Sequence, residues 1–203
     1  MKLTNDVALE LIEKEQGNKP NNERWINHSI CVGNAAGVIA QALNLDVDFA
    51  KTLGYIHDIG KRFDYIEDGV FPHAIKGYEY IKSLGYDEEY AGICIKHSFL
   101  NNDIDCISND RDETDKSNIN YDFVKEYIKK EYTIYEKIIN LCDLMCTNKV
   151  LTVDKRMMDL LLRHGVFAKT HYHIEETLKL KKYFDDLLGY NLYDLFPEIK
   201  DNL

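Results

Sequence analysis

Histidines and aspartates on the apolar sides of helical segments are the residues of this sequence best placed to do chemistry, and the chemistry they suit is binding of a divalent cation. In the segment after Trp25, His28 lies at the centre of a stripe shared with Val32, Ala35, Ile39 and Ala42. By itself His28 reads first as a core histidine with a hydrogen-bond partner. In LGYIHDIGK, a continuous helix puts Ala50, Leu53, Gly54, His57, Asp58 and Lys61 on one side, with Ala50 and Gly54 small enough for a neighbouring helix to approach closely. An ionised Asp facing a core persists only when paired or bound to a metal. Asp143 repeats the pattern beside Ile139 and Cys146, His73 aligns with Gly77, Tyr80 and Leu84, and His97 aligns with Tyr90, Ile93 and Cys94. Inward imidazoles and carboxylates on several helices are explained more economically by a shared ion than by unrelated partners for each.

The order of these residues, a lone His, an adjacent His–Asp, two further His and a distant Asp, resembles the HD-domain superfamily of metal-dependent phosphohydrolases across roughly Trp25 to Asn148. Carried over, the resemblance implies that His28, His57, Asp58 and Asp143 are primary metal ligands, and that His73 and His97 match the extra histidines of dinuclear members. Within that order it is similar to the symmetrical dinucleoside tetraphosphatases. Adjacent residues on a helix diverge by about 100°, so His57 and Asp58 converge on one centre only if Asp58 uses both oxygens. One oxygen would join His28, His57 and Asp143, and the other would bridge to a second ion held by His73 and His97. Ions about 3.5–4 Å apart could share a hydroxide and clamp the attacking and leaving oxygens of a phosphoryl displacement. Mixed imidazole and carboxylate ligation favours iron or manganese, with zinc, cobalt, nickel or magnesium compatible.

Beyond the ligands, Lys61 suits stabilisation of charge developing on phosphoryl oxygens, the alternative being a solvated lysine near a helix C-terminus. Asp58 and Lys61 are thus the catalytic candidates. Arg163 and His164 close a helix, where positive side chains favour the dipole; Arg163 is a secondary candidate for substrate contact. His171 and His173 stand among polar neighbours and read as surface residues. The aromatic group Phe63, Tyr65, Phe71, Tyr78 and Tyr80 reads as wall and core, or as a surface on which a base could stack. No inward histidine is left over to serve as general acid.

The elements that must position these residues are helices. Apolar spacing is three or four residues almost throughout, and prolines occur only at positions 20, 72 and 197. Helices are predicted at Leu3–Glu15, Glu23–Leu43, Val47–Lys61, Pro72–Leu84, Glu88–Ser98, Tyr121–Lys130, Tyr132–Asn148, Val153–His164 and Tyr172–Leu188. Gly85, Gly165 and Gly189 read as left-handed stops. The fold class is all-α; with the resemblance, an HD-domain helical bundle with additional C-terminal helices. A single domain over 1–203 is expected, with a metal-binding core at about 24–148 and a C-terminal extension at about 152–203. The stretch Asn101–Asn120 is rich in Asn, Asp and Ser and reads as a loop with too little apolar content to pack.

Composition narrows the partners. The chain has 203 residues, 45% hydrophobic and 30% charged, which is globular rather than disordered. Its net charge of −10 argues against a nucleic-acid polymer and leaves a small phosphorylated substrate, nucleotide-like by the resemblance. The opening MKLTNDVALELIEKEQ has no uninterrupted apolar run, so neither a secretory signal nor a membrane span is expected. Cys31, Cys94, Cys106, Cys142 and Cys146 include no Cys-x-x-Cys pair and read as reduced thiols, placing the protein in the cytoplasm; a homo-oligomer is compatible. The leading reading is a phosphohydrolase in which metal-bound hydroxide attacks a phosphoester or phosphoanhydride. The alternatives are a dinuclear iron oxygenase on the same scaffold and a non-catalytic metal- or nucleotide-sensing module.

Overall fold

A computed structural model describes residues 1–19, 22–63, 72–107 and 119–202. Within them run α1 (Asn5–Glu13), α2 (Asn22–Ala42), α3 (Val47–Ile56), α4 (Pro72–Ser83), α5 (Glu88–Lys96), α6 (Ile119–Tyr127), α7 (Ile134–Asp143), α8 (Val153–His164) and α9 (Thr170–Leu188). Among the described residues there is no strand beyond an isolated bridge between Cys146 and Val150. No described helix is long and apolar enough to cross a membrane, and all five cysteines are free thiols.

Helix α3 is the centre of the packing, lying against α1, α2, α5 and α7. Its sequence explains the position: Asp46 caps the first turn by accepting from the Phe49 amide, and the last turns are buried nearly all round through Thr52, Leu53, Gly54, Tyr55 and Ile56. The contact with α2 is the most extensive, and small residues make it. A Cβ on Gly54 would stand 2.4 Å from the Gly33 Cα, and one on Gly33 would strike the Tyr55 ring at 2.3 Å. The two backbones therefore touch where His28 and His57 must meet.

Three sequence expectations are corrected. Helix α3 ends at Ile56 instead of continuing to Lys61, because Asp58 adopts φ −101°, ψ 10° and the chain tightens into a 3-10 turn, Ile59–Arg62. That turn abuts the first turn of α4 so closely that a Cβ on Gly60 would lie 1.8 Å from the His73 carbonyl oxygen. Helix α7 ends at Asp143 instead of Asn148; Leu144 leaves helical geometry at φ −84°, ψ 6°, and the Cys146–Val150 bridge folds the chain back.

The third correction concerns Asn101–Asn120, of which 108–118 lie outside the described residues. Its first part packs: Ile104 and Ile107 join Ile75, Ile95, Phe99, Val124 and Ile128 in a second apolar cluster. Asn101 and Asn102 take left-handed backbone at φ 55° and 59°, a region that Asn tolerates better than most residues. The Asn102 amide donates to the carbonyls of Ile128 at 2.8 Å and Lys130 at 2.6 Å. The polar composition here reflects caps and turns as much as solvent.

The polar contacts between α5 and α7 set the relative position of two later site residues. Thr133 and Glu136 form a capping box at the start of α7, and Glu136 also accepts from the Lys96 ammonium at 2.9 Å. Asn140 donates to the carbonyls of Lys96 at 3.0 Å and His97 at 2.7 Å, occupying acceptors that the end of α5 leaves open.

Because the α2–α3 contact has no room for a methyl group, Gly54→Ala is expected to destabilise the protein by roughly 1–3 kcal/mol or more through overpacking. Urea denaturation measures this directly, and a midpoint equal to wild type would contradict the close approach.

Candidate metal centre

The side chains predicted from sequence gather around one buried carboxylate, and helix ends put them there. His57 follows the last residue of α3, His97 follows the last residue of α5, and Asp143 is the last residue of α7. Helix C-termini carry partial negative charge and favour a nearby cation. Both terminal histidines also use the free carbonyls of their own helices. His57 Nδ1–H donates to the Gly54 carbonyl at 2.7 Å, and His97 Nδ1–H donates to the Ile93 carbonyl at 3.1 Å. A carbonyl only accepts, so each Nδ1 carries a proton, which leaves Nε2 as the nitrogen available to a metal.

Asp58 sits in the middle, 1% exposed. Its Oδ2 faces His57 Nε2 at 3.6 Å and His28 Nε2 at 3.8 Å. Its Oδ1 faces His97 Nε2 at 3.5 Å and His73 Nε2 at 3.8 Å. Asp143 Oδ1 closes the first side, 2.9 Å from His28 Nε2 and 4.0 Å from His57 Nε2. The imidazoles form a chain around the carboxylate, with ring centroids 5.3 Å apart for His28–His57, 4.9 Å for His57–His97 and 5.4 Å for His73–His97.

The donor set fits a divalent cation. Ligand atoms of His28, His57 and Asp143 all lie within 4.8 Å of one another, and so do those of His57, Asp58 and His97. His57 Nε2 and Asp58 Oδ1 are buried without hydrogen-bond partners. Each such atom costs about 1–3 kcal/mol in a folded protein, and a coordinated cation would satisfy both.

Protonation states agree with that fit. Burial pushes His57 down to about 4, against the pull of Asp58 in the other direction, and burial also depresses His73. For Asp58 burial alone would raise the carboxyl, but the Lys61 ammonium and the His57 ring outweigh it and hold it well below the usual carboxylate range. Asp143 is likewise raised by burial and brought down further by the hydrogen bond from His28. At neutral pH His57 and His73 are therefore neutral and both carboxylates ionised, as ligation demands.

Lys61 reaches the site by a different route from the one its spacing suggests. It stands in the 3-10 turn rather than one helical turn beyond His57, and its ammonium contacts Asp58 Oδ2. Arg163 is engaged by Asp159, through Nη2 at 2.8 Å and Nε at 3.2 Å. The α8 arginine nearest the site is Arg156, buried, with Nε 3.5 Å from the Asp143 carbonyl oxygen and Nη1 2.5 Å from Asp159. The aromatic group divides: Phe63 packs on Tyr80 with Arg62 over both rings, Tyr78 turns to Phe123 and Tyr127, and Tyr65 and Phe71 lie outside the described residues.

His171 is exposed as expected, but His173 is 2% exposed, a correction to the surface reading. It shares the buried stripe of α9 with Thr177, Leu180 and Phe184. That i, i+4, i+7, i+11 spacing is present in the sequence; polar neighbours on the opposite face obscured it.

The HD domain family matches residues 25–148, a span that contains all six predicted ligands. Three curated relatives are each called Ribonuclease Y. That of Protochlamydia amoebophila is 33% identical over 110 residues, covering 52% of this chain and 21% of the relative. The Thermosipho melanesiensis protein is 38% identical over 72 residues, covering 36% and 14%. The Clostridium botulinum protein (strain Hall) is 46% identical over 57 residues, covering 28% and 11%. The matched part thus spans about a fifth or less of these relatives' own length. No solved structure matches the chain significantly.

The depressed histidine dictates how the metal-free protein responds to acid. The unfolded chain takes up a proton at His57 below about 6.5, whereas the folded chain refuses it until about 4, so stability falls as pH drops through that window. Asp58 and Asp143, held below their usual range, extend the loss to lower pH. The thermal midpoint of metal-free protein should therefore decline from pH 7 to 4.5, and the decline should be shallower in His57→Gln. A flat profile in wild type would contradict a neutral, buried His57.

Proposed function

The chain belongs to the HD-domain family of metal-dependent phosphohydrolases, and on that premise we propose that it hydrolyses a phosphoester or phosphoanhydride of a small, nucleotide-like substrate at a centre of two divalent cations bridged by Asp58. The observation that carries the reading is the division of labour at that carboxylate, with Oδ2 facing His28 and His57 while Oδ1 faces His73 and His97. His28, His57 and Asp143 would complete one ion's shell, and His73 and His97 the other's. The donors are oxygen and imidazole nitrogen without thiolate, which suits iron or manganese. Such ions, when bound, acidify water and neutralise charge on phosphoryl oxygens.

The protein's own groups do the rest. Asp58 and Asp143 are ionised and fixed before any cation arrives, so little reorganisation accompanies binding. Lys61, a third exposed and already at Asp58 Oδ2, brings a positive charge to the edge of the site, where it can meet a phosphoryl oxygen. The capping box of α7 and the Asn140 bonds to α5 hold Asp143 and His97 at a fixed separation. The net charge of −10 supports a small substrate over a long polyanion. The name shared by the relatives favours a second reading, a phosphodiester within RNA.

One experiment separates these readings from each other and from an oxygenase. Purified protein reconstituted with iron(II) or manganese(II) is analysed for metal content, then assayed against mononucleotides, dinucleoside polyphosphates and a short RNA, with and without oxygen. The expected result is two ions per chain, oxygen-independent release of a phosphorylated product from the small substrates, and loss of turnover by roughly a hundred-fold or more in Asp58→Ala. Cleavage of RNA alone would overturn the small-substrate assignment. Oxygen consumption without hydrolysis would overturn the phosphohydrolase itself.

A further inference from the structure

The last long helix brings to this centre a histidine that the ligand set does not use. Helix α9 packs against α7, whose last residue is Asp143, and against the Leu100–Asn102 turn that follows His97. Two side-chain contacts pin its first turns there: Tyr172 donates to Asp103 at 2.6 Å, and the Asn101 amide donates to Glu176. Between Tyr172 and Glu176, His173 turns inward and is 2% exposed. Phe167 meets its ring edge-on at 5.9 Å and fixes its orientation.

No hydrogen bond or ion pair among the described residues engages this ring, and neither nitrogen is fully sealed from solvent. The Asp143 charge acts on it, yet the carboxylate lies beyond ion-pair reach. Buried imidazoles normally find a partner, so a ring held at this end of α9 without one is available to an oxygen atom of a ligand. Burial pushes His173 down to about 4, which leaves it neutral at pH 7, with one nitrogen a donor and the other an acceptor.

Resting on the phosphohydrolase reading, we infer that His173 is a substrate-contacting residue that donates an N–H hydrogen bond to a phosphoryl oxygen held on the Asp143 side of the centre. The C-terminal helices then form one wall of the substrate site. A neutral donor recognises the phosphoryl group without competing with cations for the Asp143 carboxylate, which an ammonium or guanidinium in the same place would do.

The test uses full-length zinc-loaded protein, a diamagnetic form suited to NMR, with inorganic phosphate as the probe. Imidazole ¹⁵N signals of His173, identified by their loss in His173→Gln, should shift saturably with phosphate. Calorimetry should show phosphate binding weakened roughly ten-fold in His173→Ala, the loss expected for a hydrogen bond to a charged group. With a turned-over substrate, kcat/KM should fall roughly ten- to hundred-fold at unchanged metal content and thermal midpoint, and His173→Gln, which keeps an N–H donor, should recover part of it.

A folded, metal-loaded His173→Ala with phosphate affinity and kcat/KM within about two-fold of wild type would overturn the inference. Should the alanine variant fail to fold, the wild-type imidazole signals decide: movement with phosphate supports the contact, and none at saturation overturns it. Failure of the underlying reading registers separately, as wild-type protein that binds phosphate through His173 but turns over no phosphorylated substrate.

Discussion

A single carboxylate buried among imidazoles is the constraint on which the rest of this structure depends. Asp58 is 1% exposed and ionised, and a buried anion without compensation is among the costliest features a fold can carry. The surrounding chain supplies compensation in layers. The Lys61 ammonium sits on Oδ2, and imidazoles face both oxygens. Even so, Oδ1 remains without a hydrogen bond. A site that stops short of satisfying its own charge is one suited to take up charge from outside, and a divalent cation would supply it.

Holding such a site open requires a scaffold that resists collapse. Its rigidity comes from backbone contacts rather than long side chains: α2 meets α3 at Gly33 and Gly54, and the turn after Asp58 meets α4 at Gly60 and Gly77. Interiors packed this tightly transmit displacement rather than absorb it. The same contacts explain why His28 and His73, from elements far apart in sequence, arrive on opposite sides of one carboxylate. Breaking α3 at Ile56 is part of this design. A continuous helix would have carried Asp58 and Lys61 away from His73, whereas the bend turns the carboxylate across the gap between α3 and α4.

The helices beyond Asp143 change the character of the centre. Arg156 touches the Asp143 backbone, and α9 closes against the segment after His97. The family core is thereby joined by contacts from outside the matched span, and the metal ligands alone do not fix a ligand, since they are common to many chemistries. The family match stops at residue 148, so this portion has to be read from its own contacts.

Much of the candidate site was legible because burial and polarity conflict there. Inward His and Asp on apolar stripes stand out in a sequence, and His28, His57, Asp58, His73, His97 and Asp143 were all visible in that way. Helix positions were also readable, since apolar spacing and caps are local properties; Val153–His164 matches throughout. Three things were not local. The break after Ile56 arises from contact between Gly60 and α4, which periodicity cannot register. The burial of Ile104 and Ile107 depends on α6 lying over them, so a polar composition misled. His173 looked solvated because its neighbours in sequence are, while in space it lies on the buried stripe of α9 and meets Phe167. The sequence by itself determined which residues are candidates to hold a cation and that helices position them, because residue type and period are written along the chain. Tertiary structure alone decided which oxygen of Asp58 meets which histidine, and that His173 is buried, because those depend on how closely separate helices approach.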